Sequence, residues 1–128
     1  MNELFKLKNI KCTKQREKIF NIINEKPSTL KEILNKKDDI DPSTVYRILE
    51  LFLEKDLIIK IVDDSEIYYA INEKHSHYVN CIKCHKKERI NYCFMEKMEE
   101  KINKDLGYTL VSHNLIIDGI CPSCMKKA

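Results

Sequence analysis

His75-Ser-His-Tyr-Val-Asn-Cys81-Ile-Lys-Cys84 puts two imidazoles and two thiols within one short run, each pair at a spacing that metal ions use. His75 and His77 are two apart, so on an extended segment both rings leave the same face and can share one ion. Cys81 and Cys84 form a knuckle that supplies half of a tetrahedron, and Cys121-Pro-Ser-Cys124 supplies the other half. The spacing predicts a four-cysteine structural zinc site on Cys81, Cys84, Cys121 and Cys124.

Around that site, 128 residues leave room for one or two small modules, each near the size at which a metal staple supplements a hydrophobic core. Charged residues make up 34% and hydrophobics 43%, and no apolar run is long enough to span a bilayer. Met1-Asn-Glu-Leu-Phe5 lacks the basic and apolar segments of an export signal, so the expected location is the cytoplasm. In that compartment six cysteines, arranged as two CxxC pairs plus Cys12 and Cys93, serve metals rather than disulfides.

The net charge of +3 is unevenly spread: residues 1–60 carry 13 Lys and Arg against 10 Asp and Glu, whereas residues 61–128 carry 10 of each. Residues 1–37 alone hold 10 basic against 4 acidic side chains, which suits contact with a polyanion.

In the first half, Asn2 to Lys8 predicts a short helix. Thr13 caps a second that carries Ile19, Phe20, Ile22 and Ile23 inward and stops before Pro27. Thr29-Leu-Lys-Glu32 is a capping box that opens a third. Asp41 caps a fourth, with Pro42 at its first position. On that helix Val45, Ile48, Leu49 and Phe52 fall on one side, and Ser43, Tyr46, Arg47 and Glu50 on the other. An outward Tyr46-Arg47 pair near the start of the last helix in a set suits a reader of the DNA major groove. Leu57 to Val62 and Glu66 to Ile71 then read as a hairpin turned at Asp63-Asp64-Ser65, so helices plus a two-stranded wing predict a winged helix. Asp63 and Asp64 would hold the wing tip off DNA phosphates.

In the second half, strands are expected over Tyr78 to Asn80, Lys86 to Ile90 and Tyr108 to Ile117. A helix from Phe94 to Leu106 stops at Gly107. An exposed strand edge there could pair with its twin, giving a homodimer that reads an inverted repeat in double-stranded DNA. The fold class is α+β: a winged-helix domain over 1–71, a hinge over 72–77, and a dimerisation and zinc-binding domain over 78–128.

The chain resembles the ferric uptake regulator (Fur) family of metal-dependent repressors. The matching residues are Thr13-x-Gln15-Arg16, the helix Ser43-Thr44-Val45-Tyr46-Arg47-x-Leu49, His75-x-His77, Cys81-x-x-Cys84, the Gly107-Tyr108 turn with His113 downstream, and Gly119-x-Cys121-x-x-Cys124. The resemblance implies zinc on the four cysteines and a hinge site whose regulatory metal closes the dimer onto DNA. It departs at the sensor, because the family takes further hinge ligands where this chain has Pro27-Ser28-Thr29 and Tyr69-Ala70-Ile71, and a carboxylate near Glu88.

His75 and His77 therefore need other partners, with Cys93 first and Glu88, Glu66, Asp63 and Asp64 after it. A thiolate with imidazoles favours zinc over iron as the sensed ion, with manganese as a third option. His113 is expected to be hydrogen-bonded structure, His85 to be exposed and Cys12 to pack. Lys14, Arg16 and Arg47 would hold phosphates while Ser43, Thr44 and Tyr46 approach bases. The rivals are a regulator of the same fold that no longer senses metal, a peroxide-sensing regulator, and a thiol redox enzyme; the chain is otherwise expected not to be an enzyme.

Overall fold

In the computed structural model, residues 2–72, 77–93, 95–111 and 113–127 are described. The chain divides into two compact units, Met1–Glu73 and Lys74–Ala128.

The first unit begins with helices α1 (Asn2–Leu7) and α2 (Lys14–Glu25). Thr13 caps α2, its side-chain oxygen accepting from Arg16 N at 3.2 Å. The four apolar residues expected inward on α2 are all buried. α3 (Leu30–Lys36) opens with the complete capping box: Glu32 N donates to Thr29 Oγ1 at 3.2 Å while Thr29 N donates to Glu32 Oε1 at 3.0 Å. Ahead of it, Ser28–Thr29 form a two-residue strand, β1, a piece of sheet that helix-start chemistry conceals.

α4 (Pro42–Glu54) buries Val45, Ile48, Leu49 and Phe52. Its N-cap differs from expectation. Asp41 makes no side-chain cap bond, because its carboxylate accepts from the Ser43 hydroxyl instead, and the Asp41 carbonyl takes Thr44 N at 2.9 Å. After α4 the chain reverses at Asp56, at φ 58°, which lets Leu57 N reach Phe52 O at 2.8 Å.

The wing follows as β2 (Ile58–Asp63) and β3 (Glu66–Ile71), antiparallel in the register Asp63↔Glu66. Its loop is only Asp64-Ser65, both left-handed (φ 48° and 68°), as a two-residue hairpin turn requires. β1 adds to the far side of β3, giving the order β1-β3-β2. Helices and wing close on one apolar core that includes Phe5, Phe20, Ile33, Phe52, Leu57 and Ile71. Phe5 packs edge-on against Phe20, with centroids 5.4 Å apart.

The second unit is a small sheet of order β5-β4-β6, built from β4 (His77–Cys81), β5 (Lys87–Ile90) and β6 (Ile116–Gly119). β4 runs antiparallel to β5 but parallel to β6. α5 (Glu96–Leu106) crosses between β5 and β6 and ends at Gly107 in the left-handed conformation, φ 77°. The expected strand from Tyr108 is reduced to Ile116–Gly119. Its alternating pattern finds a strand to pair with only where the chain reaches β4. Pro122–Lys127 form a short helix, α6, after the first cysteine of the second pair.

The two units differ in how they are held. The clustered core lies wholly within the first. Among the described residues of the second, only His77, Tyr78, Asn80 and Cys81 are buried, and α5 buries none.

The capping box gives a direct test. Thr29→Ala should cost about 1 kcal/mol in urea denaturation. Glu32 is held below its ordinary carboxylate pKa, chiefly by the Thr29 N–H. Its contribution is therefore complete above the unfolded pKa and is lost as pH falls through the lower folded one. Glu32→Gln should flatten that acid limb of the stability profile; an unchanged limb would assign it to other groups.

Candidate functional site

Strand polarity decides which side chains meet in the second unit. Because β4 and β6 are parallel and β5 is antiparallel, the end of β4, the start of β5 and the end of β6 lie at one edge of the sheet. Cys81 closes β4, Cys84 precedes β5, and Cys121 and Cys124 follow β6. Their four sulfurs lie within 4.8 Å of one another. Cys81 Sγ is 3.8 Å from Cys124 Sγ, and Cys84 Sγ is 3.7 Å from Cys121 Sγ. A tetrahedral zinc with Zn–S near 2.3 Å separates its sulfurs by roughly 3.8 Å, which both of these separations match.

The knuckle also prepares one thiolate. Cys81 Sγ accepts from Cys84 N at 3.5 Å and Cys121 N at 3.3 Å. The Cys84 N–H first, then that of Cys121, holds the Cys81 thiol down at about 5. Hydrogen bonding to the neighbouring Cys121 sulfur, followed by desolvation, pushes Cys124 up to about 12. Crowded sulfurs ionise one at a time, and the last proton is retained until a cation replaces it.

At the opposite edge, the start of β4, the run after β5 and the run before β6 converge. They bring His77, Cys93 and His113 into a second group whose ligand atoms lie within 4.8 Å of one another. His77 Nε2 is 3.2 Å from His113 Nε2, and Cys93 Sγ is 3.1 Å from the same nitrogen. Zinc with Zn–N near 2.0 Å and Zn–S near 2.3 Å sets N···N at roughly 3.3 Å and N···S at roughly 3.5 Å. The imidazoles fit as they stand, and the thiol needs to withdraw by a few tenths of an ångström. Glu99, in the first turn of α5, places Oε1 2.6 Å from His113 Nδ1. That contact fixes the ring with Nε2 toward the group, as outer-shell carboxylates do for metal-binding histidines.

The candidates read from sequence are distributed as follows. His77 and Cys93 come together; His75 lies outside the described residues. Glu88 is not in the group: it stands opposite Val79 and pairs with Lys86 Nζ at 2.8 Å. Glu66 sits on the wing opposite Asp63, with Asp64 in the adjoining turn, all in the first unit. His113, expected to be hydrogen-bonded structure, does meet Glu99 at 2.6 Å and also stands beside His77 and Cys93, while Cys12, expected to pack, is exposed with its thiol 3.5 Å from Glu17 Oε2. His85 is half-buried and left-handed, φ 66°. The closeness of His113 to His77 depends on the parallel β4–β6 pairing, which has no local signature.

In the first unit, Ser43, Tyr46 and Arg47 are exposed on the outer face of α4, with Thr44 half-buried beside them. Tyr46 is 48% exposed, which leaves its ring available to a partner. Arg47 Nε donates to Ser43 O at 3.4 Å, and Arg16 Nη1 donates to Lys11 O at 2.9 Å, so both guanidiniums are oriented. Lys14 is exposed.

A winged-helix unit joined to a cysteine-pinned sheet defines a metal-responsive DNA-binding transcription regulator. The model of the ferric uptake regulator family matches residues 7–118, and the chain belongs to that family. A ferric uptake regulation protein from Bacillus subtilis is 30% identical, with 91% of this chain and 87% of that protein covered. One from Synechococcus elongatus is 27% identical over the same shares. Among solved structures, the ferric uptake regulator of Helicobacter pylori, which has three functional metal-binding sites, superposes with a TM-score of 0.67 at 23% identity, covering 97% of this chain and 88% of that one. The Campylobacter jejuni peroxide stress regulator gives a TM-score of 0.74 at 20% identity, covering 84% and 99%. Members of the family are transcription regulators rather than enzymes, bind DNA and are generally dimeric. No helix among the described residues is long and apolar enough to cross a membrane.

Replacing Cys84 by Ser should remove about one zinc per chain by elemental analysis. It should also abolish amide-exchange protection in β4 while sparing α4. Retained zinc and retained protection would show that the four sulfurs do not hold the second unit.

Proposed function

We propose that this protein is a zinc-responsive repressor. Structural zinc lies on Cys81, Cys84, Cys121 and Cys124, and a regulatory zinc is taken by His77, Cys93 and His113. The observation that carries the reading is the donor chemistry of the second group: two imidazoles and a thiol, with the carboxylate of Glu99 on the far side of the His113 ring. Sulfur and imidazole donors favour zinc, whereas iron and manganese favour sites richer in oxygen. A bound divalent ion would supply a positive charge shared by all three side chains.

His77 is the first residue of β4, immediately after the connection between the units. Holding His77 against Cys93 and His113 orders the strand from which the DNA-reading unit is tethered. That ordering shifts the population toward the DNA-competent form by the difference in metal affinity between forms, ~1 to 3 kcal/mol in typical cases. The operator-bound form is a homodimer. In support, Met98 and Leu106 on α5 are well exposed, and Ile116 and Ile117 on β6 are partly so, leaving an apolar surface that a second copy would cover. At the operator, Arg47, Arg16 and Lys14 take phosphates, and Tyr46, Ser43 and Thr44 meet base edges in the major groove.

Two measurements test this reading. With the four-cysteine zinc retained, a second zinc should bind and tighten operator binding roughly 5- to 150-fold. Glu99→Ala should weaken that second site by roughly 10- to 100-fold, and Cys93→Ala by at least as much. One zinc per chain with metal-independent DNA binding would instead make the protein a constitutive member of the family. Separately, Arg47→Ala should lower affinity on all DNA and reduce the salt slope by about one; an unaltered slope removes Arg47 from the phosphate contacts.

A further inference from the structure

The outer face of α4 carries a hydrogen-bond arrangement that helix capping does not explain. The Asp41 carbonyl already accepts from Thr44 N at 2.9 Å and Val45 N at 3.1 Å, which closes the first turn. The Asp41 carboxylate gives the helix no cap bond and accepts the hydroxyl proton of Ser43 instead. Ser43 is held at its backbone as well, its carbonyl accepting from Arg47 Nε at 3.4 Å one turn on. Asp41, Ser43, Tyr46 and Arg47 are all exposed.

A serine hydroxyl has one proton to give and two lone pairs that accept, so a free serine reads a hydrogen-bond donor or an acceptor alike. Once a carboxylate takes the proton, only the lone pairs remain for a partner. Ser43 is thereby an acceptor with its polarity set. In the major groove adenine N6 and cytosine N4 donate, whereas guanine O6 and N7 and thymine O4 accept. Against an amino group the Ser43 oxygen gains a bond; against a keto oxygen both groups lose water and gain nothing.

We propose that Ser43 is a specificity-determining contact for an amino-bearing base, adenine or cytosine, in one strand of each half-site, and that Asp41 is the positioning residue that makes it so. This assignment rests on α4 as the helix that enters the groove. It also gives Asp41 a use that its charge alone contradicts, since a carboxylate near a polyanion lowers affinity for every sequence. A uniform penalty offset only where the amino group is present widens the gap between right and wrong sequences.

The test uses the full chain saturated with zinc. An operator is selected from a pool of randomised duplexes, and each half-site position is then probed in two ways. One reverses the base pair; the other puts purine for adenine or pyrimidin-2-one for cytosine, which removes only the amino group. The readout is the ratio of affinities for two duplexes, which does not change with the fraction of protein that is folded. At the Ser43 position, pair reversal should weaken wild-type binding roughly 5- to 150-fold, and loss of the amino group at least roughly fivefold. Ser43→Ala should bring the amino-group ratio to about one, and Ser43→Thr, which keeps a hydroxyl, should retain it. Asp41→Ala frees the hydroxyl to turn, so the pair-reversal ratio should fall by at least roughly fivefold. Binding that ignores amino-group removal at every position, or ratios the same in all three variants as in wild type, would overturn the proposal. If Arg47→Ala still weakened binding, the reading of α4 would survive that result. Asp41→Ala binding every duplex more tightly by one common factor would overturn it too, leaving Asp41 with charge alone. Equal affinity for all duplexes, with no operator selected, would overturn the proposal and the reading of α4 together.

Discussion

The parallel pairing of β4 with β6 is the constraint on which both metal groups depend. It aligns the two strands so that their beginnings share one edge of the sheet and their ends share the other, while antiparallel β5 brings its own start and finish to the matching edges. Four thiols thereby collect at the edge where β4 ends, and His77, Cys93 and His113 at the edge where it begins. Reversing β6 would leave every local element intact and scatter both sets of donors. Asn80 Nδ2 donating to Asp118 Oδ1 at 3.2 Å ties the pairing at the one register that serves both edges.

The two units solve the stability problem in opposite ways. The first buries three phenylalanines and a set of isoleucines, and so folds as a small hydrophobic domain does. The second has a strongly amphipathic helix with no buried residue and a sheet in which only β4 is buried, with Ile116 and Ile117 of β6 partly exposed within one chain. A module of that size with so little apolar burial needs cross-links or a partner. Four convergent sulfurs offer a place for such a cross-link, and members of the family are generally dimeric. Regulation by metal is natural in such a module, because the unit whose order depends on ligands is the one that ligands can adjust.

The outer face of α4 follows from amphipathicity. Once Val45, Ile48, Leu49 and Phe52 commit one side of α4 to the core, Ser43, Tyr46 and Arg47 are left on the other. The wing departs from a simple phosphate clamp, since the residues at and beside its tip are Asp63, Asp64 and Glu66, which a polyanion repels.

Local patterns made much of this legible from the sequence: the helix starts at Thr13 and Thr29, the amphipathic α4, the hairpin, the left-handed stop at Gly107 and the pairing of two CxxC knuckles. Each rests on residues a few positions apart, where spacing maps directly onto geometry. What sequence could not supply lies in contacts between distant segments. The short β1 is concealed by a capping box, the strand expected from Tyr108 shrinks to Ile116–Gly119, and Glu88 turns to Lys86. His113 meets His77 and Cys93 across the sheet. By itself the sequence determined the two cysteine pairs, the amphipathic α4 and the family, because those depend on residue type and near spacing. Only the tertiary structure decided which histidine meets Cys93, because that depends on the direction in which one strand runs beside another nearly forty positions away.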